Sequence, residues 1–189
     1  MRTAVEARRR DEGLAKTGLL AVLASEAVFF GTLLTAYLFL RLSQPNWPLQ
    51  KVGLSQLVVP GLNTGILLLS ALVISRANRA IARGDRQGLQ ARLLLVVLLG
   101  AVFIAGQLFE FLRLGLRPGD QAFGGVFFTL MGFHALHVVA GMVIVILAYL
   151  RARLGDFSAH RHIAVQVSAW FWYFVTAVWV VMFLGLYVV

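Results

Sequence analysis

Five long apolar runs separated by short polar segments dominate the chain, at residues 18–40, 57–74, 93–112, 123–150 and 163–189. A hydrocarbon core of about 30 Å takes about 20 helical residues, so each run is long enough to cross it. None shows the period-two alternation of outer-membrane strands. In lipid every backbone N–H and C=O must be satisfied within the protein, and a helix does so within one segment. The pattern therefore predicts an all-α fold, an integral membrane bundle of five transmembrane helices. A basic tail is expected over residues 1–16 and a single transmembrane domain over 17–189.

Composition sharpens this picture. The chain is 60% hydrophobic and 13% charged, against about 45–50% and about 25% in a soluble domain. Its net charge of +9 is spread unevenly. Thirteen Lys and Arg fall in the tail and the second and fourth loops, and four fall on the opposite side. By the positive-inside rule the N-terminus is cytoplasmic and the C-terminus outside, as in a bacterial-type plasma membrane. Basic loops against anionic headgroups account for the charge, so membrane lipids are expected partners and nucleic acid is not. With no cysteine, disulfides, zinc–thiolate sites, iron–sulfur clusters and thiolate catalysis are excluded. The first run starts too far into the chain, and is too long, for an ordinary cleaved signal peptide.

The connections are short. The first, 42–55, holds Pro45, Trp47 and Pro48, and the third, 114–121, holds the turn sequence Pro118-Gly119-Asp120. The second, 76–90, is basic and contains Gly84 and Gly88; the fourth, 151–162, carries His160 and His162. Small residues inside the runs (Gly31, Ala36, Gly61, Gly65, Gly132 and Gly141) are expected to let helices approach closely. No internal repeat is present, which argues against a transporter built from inverted repeats.

Polar residues inside the runs are the candidate chemistry, because an ionisable group at that depth costs at least about 2.5 kcal/mol and normally faces protein or water. Glu26 follows Ser25 in the first run. It is either a protonated acid bonded to a neighbouring helix or part of a proton or lipid-headgroup site. Gln107 and Glu110, and likewise His134 and His137, stand three residues apart and so share a helix face. Interhelical hydrogen bonding competes with metal or haem ligation at the His pair. A di-metal carboxylate site would want Glu-x-x-His from two helices, and this chain offers none. Trp172 and Trp179, seven apart with Tyr173 and Thr176 beside them, form an aromatic stripe suited to packing. No nucleophile–base pair is evident, so no catalytic, cofactor-binding or metal-ligating residue is expected.

Several segments together resemble subunit III of haem-copper respiratory oxidases, in its five-helix form, over residues 17–189. They are Ser25-Glu26-Ala27-Val28-Phe29-Phe30-Gly31, then Asn63-Thr64 with Leu67-Leu68-Leu69-Ser70, and Gln107 with Glu110. Next come Thr129-Leu130-Met131-Gly132-Phe133-His134-Ala135-Leu136-His137-Val138 and Trp170-Phe171-Trp172-Tyr173-Phe174-Val175 with Trp179. Tyr173 and Thr176 stand where the family usually has His and Asp, and Gln166 where some branches have Glu, so roles of those groups do not carry over. The resemblance implies a non-catalytic subunit of a proton-pumping terminal oxidase in aerobic respiration, foremost cytochrome c oxidase. Haem and copper would sit in partner subunits, with subunit I the main contact and subunit II also in the complex. Its implied work is to stabilise the catalytic subunit, bind lipid and support proton uptake, with Glu26 the foremost site residue. A quinol oxidase or nitric-oxide-reductase-associated homologue, and an independent membrane transporter using Glu26, Glu110, His134 and His137 as a relay, remain open alternatives.

Overall fold

Each of the first four apolar runs lies within one helix, and the fifth runs through a helix and the π-helical turn that continues it. The computed structural model describes residues 2–43, 54–114, 121–159 and 161–188. Expectations for Pro45, Trp47, Pro48, Pro118, Gly119, Asp120 and His160 fall outside that set. The helices are α1 (Arg2–Ser43), α2 (Leu54–Ala82), α3 (Arg86–Leu114), α4 (Gln121–Arg153) and α5 (Ile163–Phe183), the last continued by a π-helical turn (Leu184–Val188). All five contain a stretch long and apolar enough to cross a membrane. No strand occurs among the described residues.

Polar ends extend the helices beyond the apolar runs. α1 continues without a break through the basic segment before residue 17. The expected connection over 76–90 shrinks to Arg83-Gly84-Asp85. Gly84 takes a left-handed φ of 80° that ends α2. Asp85 then caps α3 by accepting a bond from the Gly88 backbone N–H at 2.7 Å. Arg76, Arg79 and Gly88 are thus helical, because a membrane helix keeps its backbone bonds as it leaves the hydrocarbon.

α5 packs against α1, α2 and α4, and α3 packs against α2 and α4. α1 leans on α4 and α5 from outside; its membrane-crossing stretch is only 6% buried, against 50% for α5. Trp172, fully buried on α5, keys the interior. Its ring lies where a Cβ on Gly100 of α3 or Gly141 of α4 would stand, at 2.9 and 3.1 Å. Its indole N–H donates to Ser70 Oγ of α2 at 2.8 Å. Two turns along, Trp179 donates to Thr64 Oγ1 at 2.9 Å, so the aromatic stripe packs and also pins α5 to α2. Gly141 therefore serves close approach as expected. Gly31, Gly61, Gly65 and Gly132 do not: nothing lies within 4 Å of a Cβ there. Three of them line surface grooves instead, Gly31 in an α1–α5 cleft of about 230 Å³ and Gly61 and Gly65 along α2.

Candidate functional site

The candidate residues Glu26, Gln107, Glu110, His134 and His137 separate into two hydrogen-bonded pairs with their neighbours and a group whose buried nitrogens lack partners. In the first pair Glu26 of α1 meets His137 of α4, with Oε2 to Nε2 at 3.1 Å. His137 Nδ1 lies 2.7 Å from the Phe133 carbonyl oxygen. A carbonyl only accepts, so Nδ1 carries a proton and donates. Nε2 then either accepts from a protonated Glu26 or, as imidazolium, donates to its carboxylate. Either way the pair holds one proton between the two side chains. The side chains are 30% and 16% exposed, so the pair sits at the α1–α4 seam within reach of the surroundings. Ser25 does not join it; its hydroxyl donates to the Val22 carbonyl one turn back.

The second pair lies toward the other end of α3. Tyr187, in the π-helical turn after α5, donates its hydroxyl to Glu110 Oε1 at 3.0 Å. Both residues are buried. Nearby, Arg41 of α1 donates to the Gly185 carbonyl at 3.3 Å, fastening α1 to the same turn.

Asn63, Gln107 and His134 are buried as well. Asn63 fills the space beside Gly106 of α3. Asn63 Nδ2, Gln107 Nε2, Glu110 Oε2 and both His134 ring nitrogens have no hydrogen-bond partner. His134 is 1% exposed and is enclosed by aromatic rings. Its ring centre is 5.9 Å from Phe103, 5.2 Å from Trp179 and 6.3 Å from Phe30. Phe30 also lies 5.0 Å from His137 and so borders both imidazoles. The His pair therefore points into two different seams. Among the described residues, no three His, Asp or Glu side chains converge as a metal site.

The three positions that depart from the family pattern behave more simply. Thr176 donates to the carbonyl of Trp172 on its own helix at 2.9 Å, and Tyr173 is exposed. Gln166 donates to His162 Nε2 at 3.1 Å, while His162 Nδ1 donates to the Ser158 carbonyl at 3.2 Å. Tyr187 escaped sequence reasoning altogether. The signal for it was depth: a phenol near the end of the last run stands level with Glu110 near the end of the third.

Five membrane-length helices enclosing these polar groups define an integral membrane helix bundle with its polar chemistry turned inward. The chain belongs to the cytochrome c oxidase subunit III family, whose model matches residues 7–189. It is 36% identical over 172 residues to cytochrome c oxidase subunit 3 of Thermostichus vulcanus, covering 90% of this chain and 85% of that one. The corresponding protein of Synechocystis sp. is 34% identical over 171 residues, at 90% and 73% coverage. That of Rattus norvegicus is 31% identical over 176 residues, at 90% and 67%. The chain is thus a subunit III of the haem-copper oxidase class, a membrane component of the respiratory chain.

Proposed function

We propose that this chain is the non-catalytic subunit III of a proton-pumping cytochrome c oxidase, packed chiefly on subunit I and also associated with subunit II. The complex reduces oxygen on haem and copper held by those partners. In this reading the chain stabilises subunit I, binds lipid between its helices and supports proton uptake. It lies in a bacterial plasma membrane with its N-terminus in the cytoplasm. The observation that carries the local role is the Glu26–His137 bond at the thinly covered α1–α4 seam. A one-proton pair within reach of lipid or a partner is suited to holding a proton or a headgroup, and the α1–α5 cleft that includes Ala27 and Phe30 is next to it.

The test is purification through a tag on this chain, with haem spectra and oxygen uptake recorded. Haem-bearing partners should come down in stoichiometric amount. Glu26→Gln keeps shape and most hydrogen-bonding capacity, so the complex should assemble and reduce oxygen at an initial rate near wild type. Glu26→Ala, which strands the His137 imidazole, should still reduce oxygen but weaken retention of this chain or lose activity sooner over repeated turnover. Recovery of the chain without haem partners would overturn the subunit assignment. Loss of oxygen reduction in a fully assembled Glu26→Gln complex would overturn the supporting role of this residue.

A further inference from the structure

The α2–α3 hairpin carries a basic pocket remote from Glu26. Arg76, Arg79 and Arg83 of α2 stand at i, i+3 and i+7 and so line one face. With Arg92 of α3 and Asp85 of the turn they border a cavity of about 280 Å³. Four guanidinium groups face one carboxylate there. That carboxylate is already engaged: Oδ1 caps α3 and Oδ2 holds Arg92 loosely at 3.4 Å. Among the described residues Arg79 reaches only the Ser75 hydroxyl, also at 3.4 Å. Among the described residues Arg76 and Arg83 meet no carboxylate. The pocket keeps an uncompensated positive charge in a set of planar donors, which suits the oxygens of a phosphate.

The surface below the pocket identifies what carries that phosphate. Continuing along α2 from Arg76, residues 72, 69, 65 and 62 stay on the same face, within about 40° of it at 100° per residue. They are Leu72, Leu69, Gly65 and Leu62, all exposed. Gly61 and Gly65 hollow a groove along this stripe. From Arg76 to Leu62 the helix descends about 21 Å, enough to line one leaflet of a hydrocarbon core of about 30 Å. A guanidinium ladder at headgroup depth with an apolar groove beneath matches a phospholipid, head above and acyl chain below.

We infer that the arginine pocket of the α2–α3 hairpin, with the groove below it, binds the phosphodiester headgroup of an anionic phospholipid. This site is separate from the lipid role proposed for the Glu26 seam and does not depend on it. Basic pockets between helices hold anionic headgroups in this way, each Lys or Arg strengthening attraction several-fold.

The test uses the full chain, purified in detergent and stripped of lipid, with bound lipid counted by native mass spectrometry. Phosphatidylglycerol and phosphatidylcholine are offered in mixed micelles, and inorganic phosphate is added as competitor. Wild type should retain one phosphatidylglycerol about tenfold more tightly than phosphatidylcholine. The combined Arg76→Gln, Arg79→Gln and Arg83→Gln variant should lose that preference. Arg86→Gln, Arg153→Gln and Arg161→Gln, which remove the same charge at the same end of the bundle, should keep it. Single Arg83→Gln, the mildest change, should weaken it several-fold and reports if the triple variant does not fold. Equal retention of the two lipids by wild type, or equal loss in the two triple variants, would overturn the site. Displacement by millimolar inorganic phosphate would assign the pocket to a free anion and overturn the lipid.

Discussion

At the scale of single residues, the bundle uses each buried polar side chain according to whether a partner stands at the same depth. Trp172 and Ser70 show what a satisfied pair contributes. Interhelical hydrogen bonds in membranes average about 0.6 kcal/mol in double-mutant cycles, and a cycle of Trp172→Phe with Ser70→Ala should give a coupling of that order. Ser70→Ala alone should cost more than this coupling, because it strands an indole N–H in an apolar interior. Denaturation of the purified chain in mixed micelles measures both; a coupling near zero would mean that the indole acts through its volume alone. The types of these residues were legible in the sequence, since Glu, Gln and His stand out in an apolar run. Their partners were not. Glu26 bonds a residue 111 positions away, and nothing local in the chain records which helices become neighbours. Three residues of helix also turn about 300°, leaving side chains about 60° apart. That angle is enough to send His137 to α1 and His134 into the aromatic interior.

At the scale of elements, helices approach closely where α3, α4 and α5 meet around Trp172 and where Asn63 of α2 lies against Gly106 of α3. Gly100→Ala and Gly141→Ala each place a methyl against that ring, and overpacking of this kind costs typically about 1–3 kcal/mol. Gly31→Ala and Gly65→Ala meet open space and should leave stability unchanged or slightly raised, as helix propensity favours Ala. Thermal stability of the four purified variants separates the two classes, and equal effects would refute the assignment of Trp172 as the keystone. From the sequence alone Gly31, Gly61, Gly65, Gly132 and Gly141 looked like contact points and Gly100 was not singled out, because spacing does not tell an inward glycine from a lipid-facing one. Helix ends were obscured for a related reason. Arg76 and Arg79 read as loop by polarity, yet α2 carries them in unbroken helix until Gly84 turns the chain. The cap that follows is itself testable. Asp85→Ala should destabilise the hairpin by about 1 kcal/mol, seen as faster amide exchange at the start of α3, whereas Asp85→Asn should be nearly neutral.

At the scale of the whole molecule, the five-span architecture follows from run length and polarity, and it fixes which connections share a side once one end is placed. Gln90 of α3 donates to the Ala152 carbonyl of α4 at 3.1 Å, so the α2–α3 turn and the end of α4 lie together. Arg41 at the end of α1 binds the Gly185 carbonyl near the end of α5, so those ends lie together at the opposite face. The first group carries the arginine pocket, and together with the start of α1, which lies opposite that helix's Arg41 end, it accounts for thirteen of the seventeen Lys and Arg. The excess of thirteen Lys and Arg over four predicts that this group is cytoplasmic. A reporter active only outside the cytoplasm should therefore work when fused after Val189 and stay silent when inserted at Gly84. A cytoplasmic reporter should give the reverse at both points. Moving the bias is the sharper check, because orientation is read from charge and not from the apolar runs. Replacing Arg76, Arg79, Arg83, Arg86 and Arg92 by Gln, while adding Lys to the 44–53 connection, should raise the fraction of inverted molecules. If inversion does not rise with that exchange, the charge asymmetry is not what orients this chain.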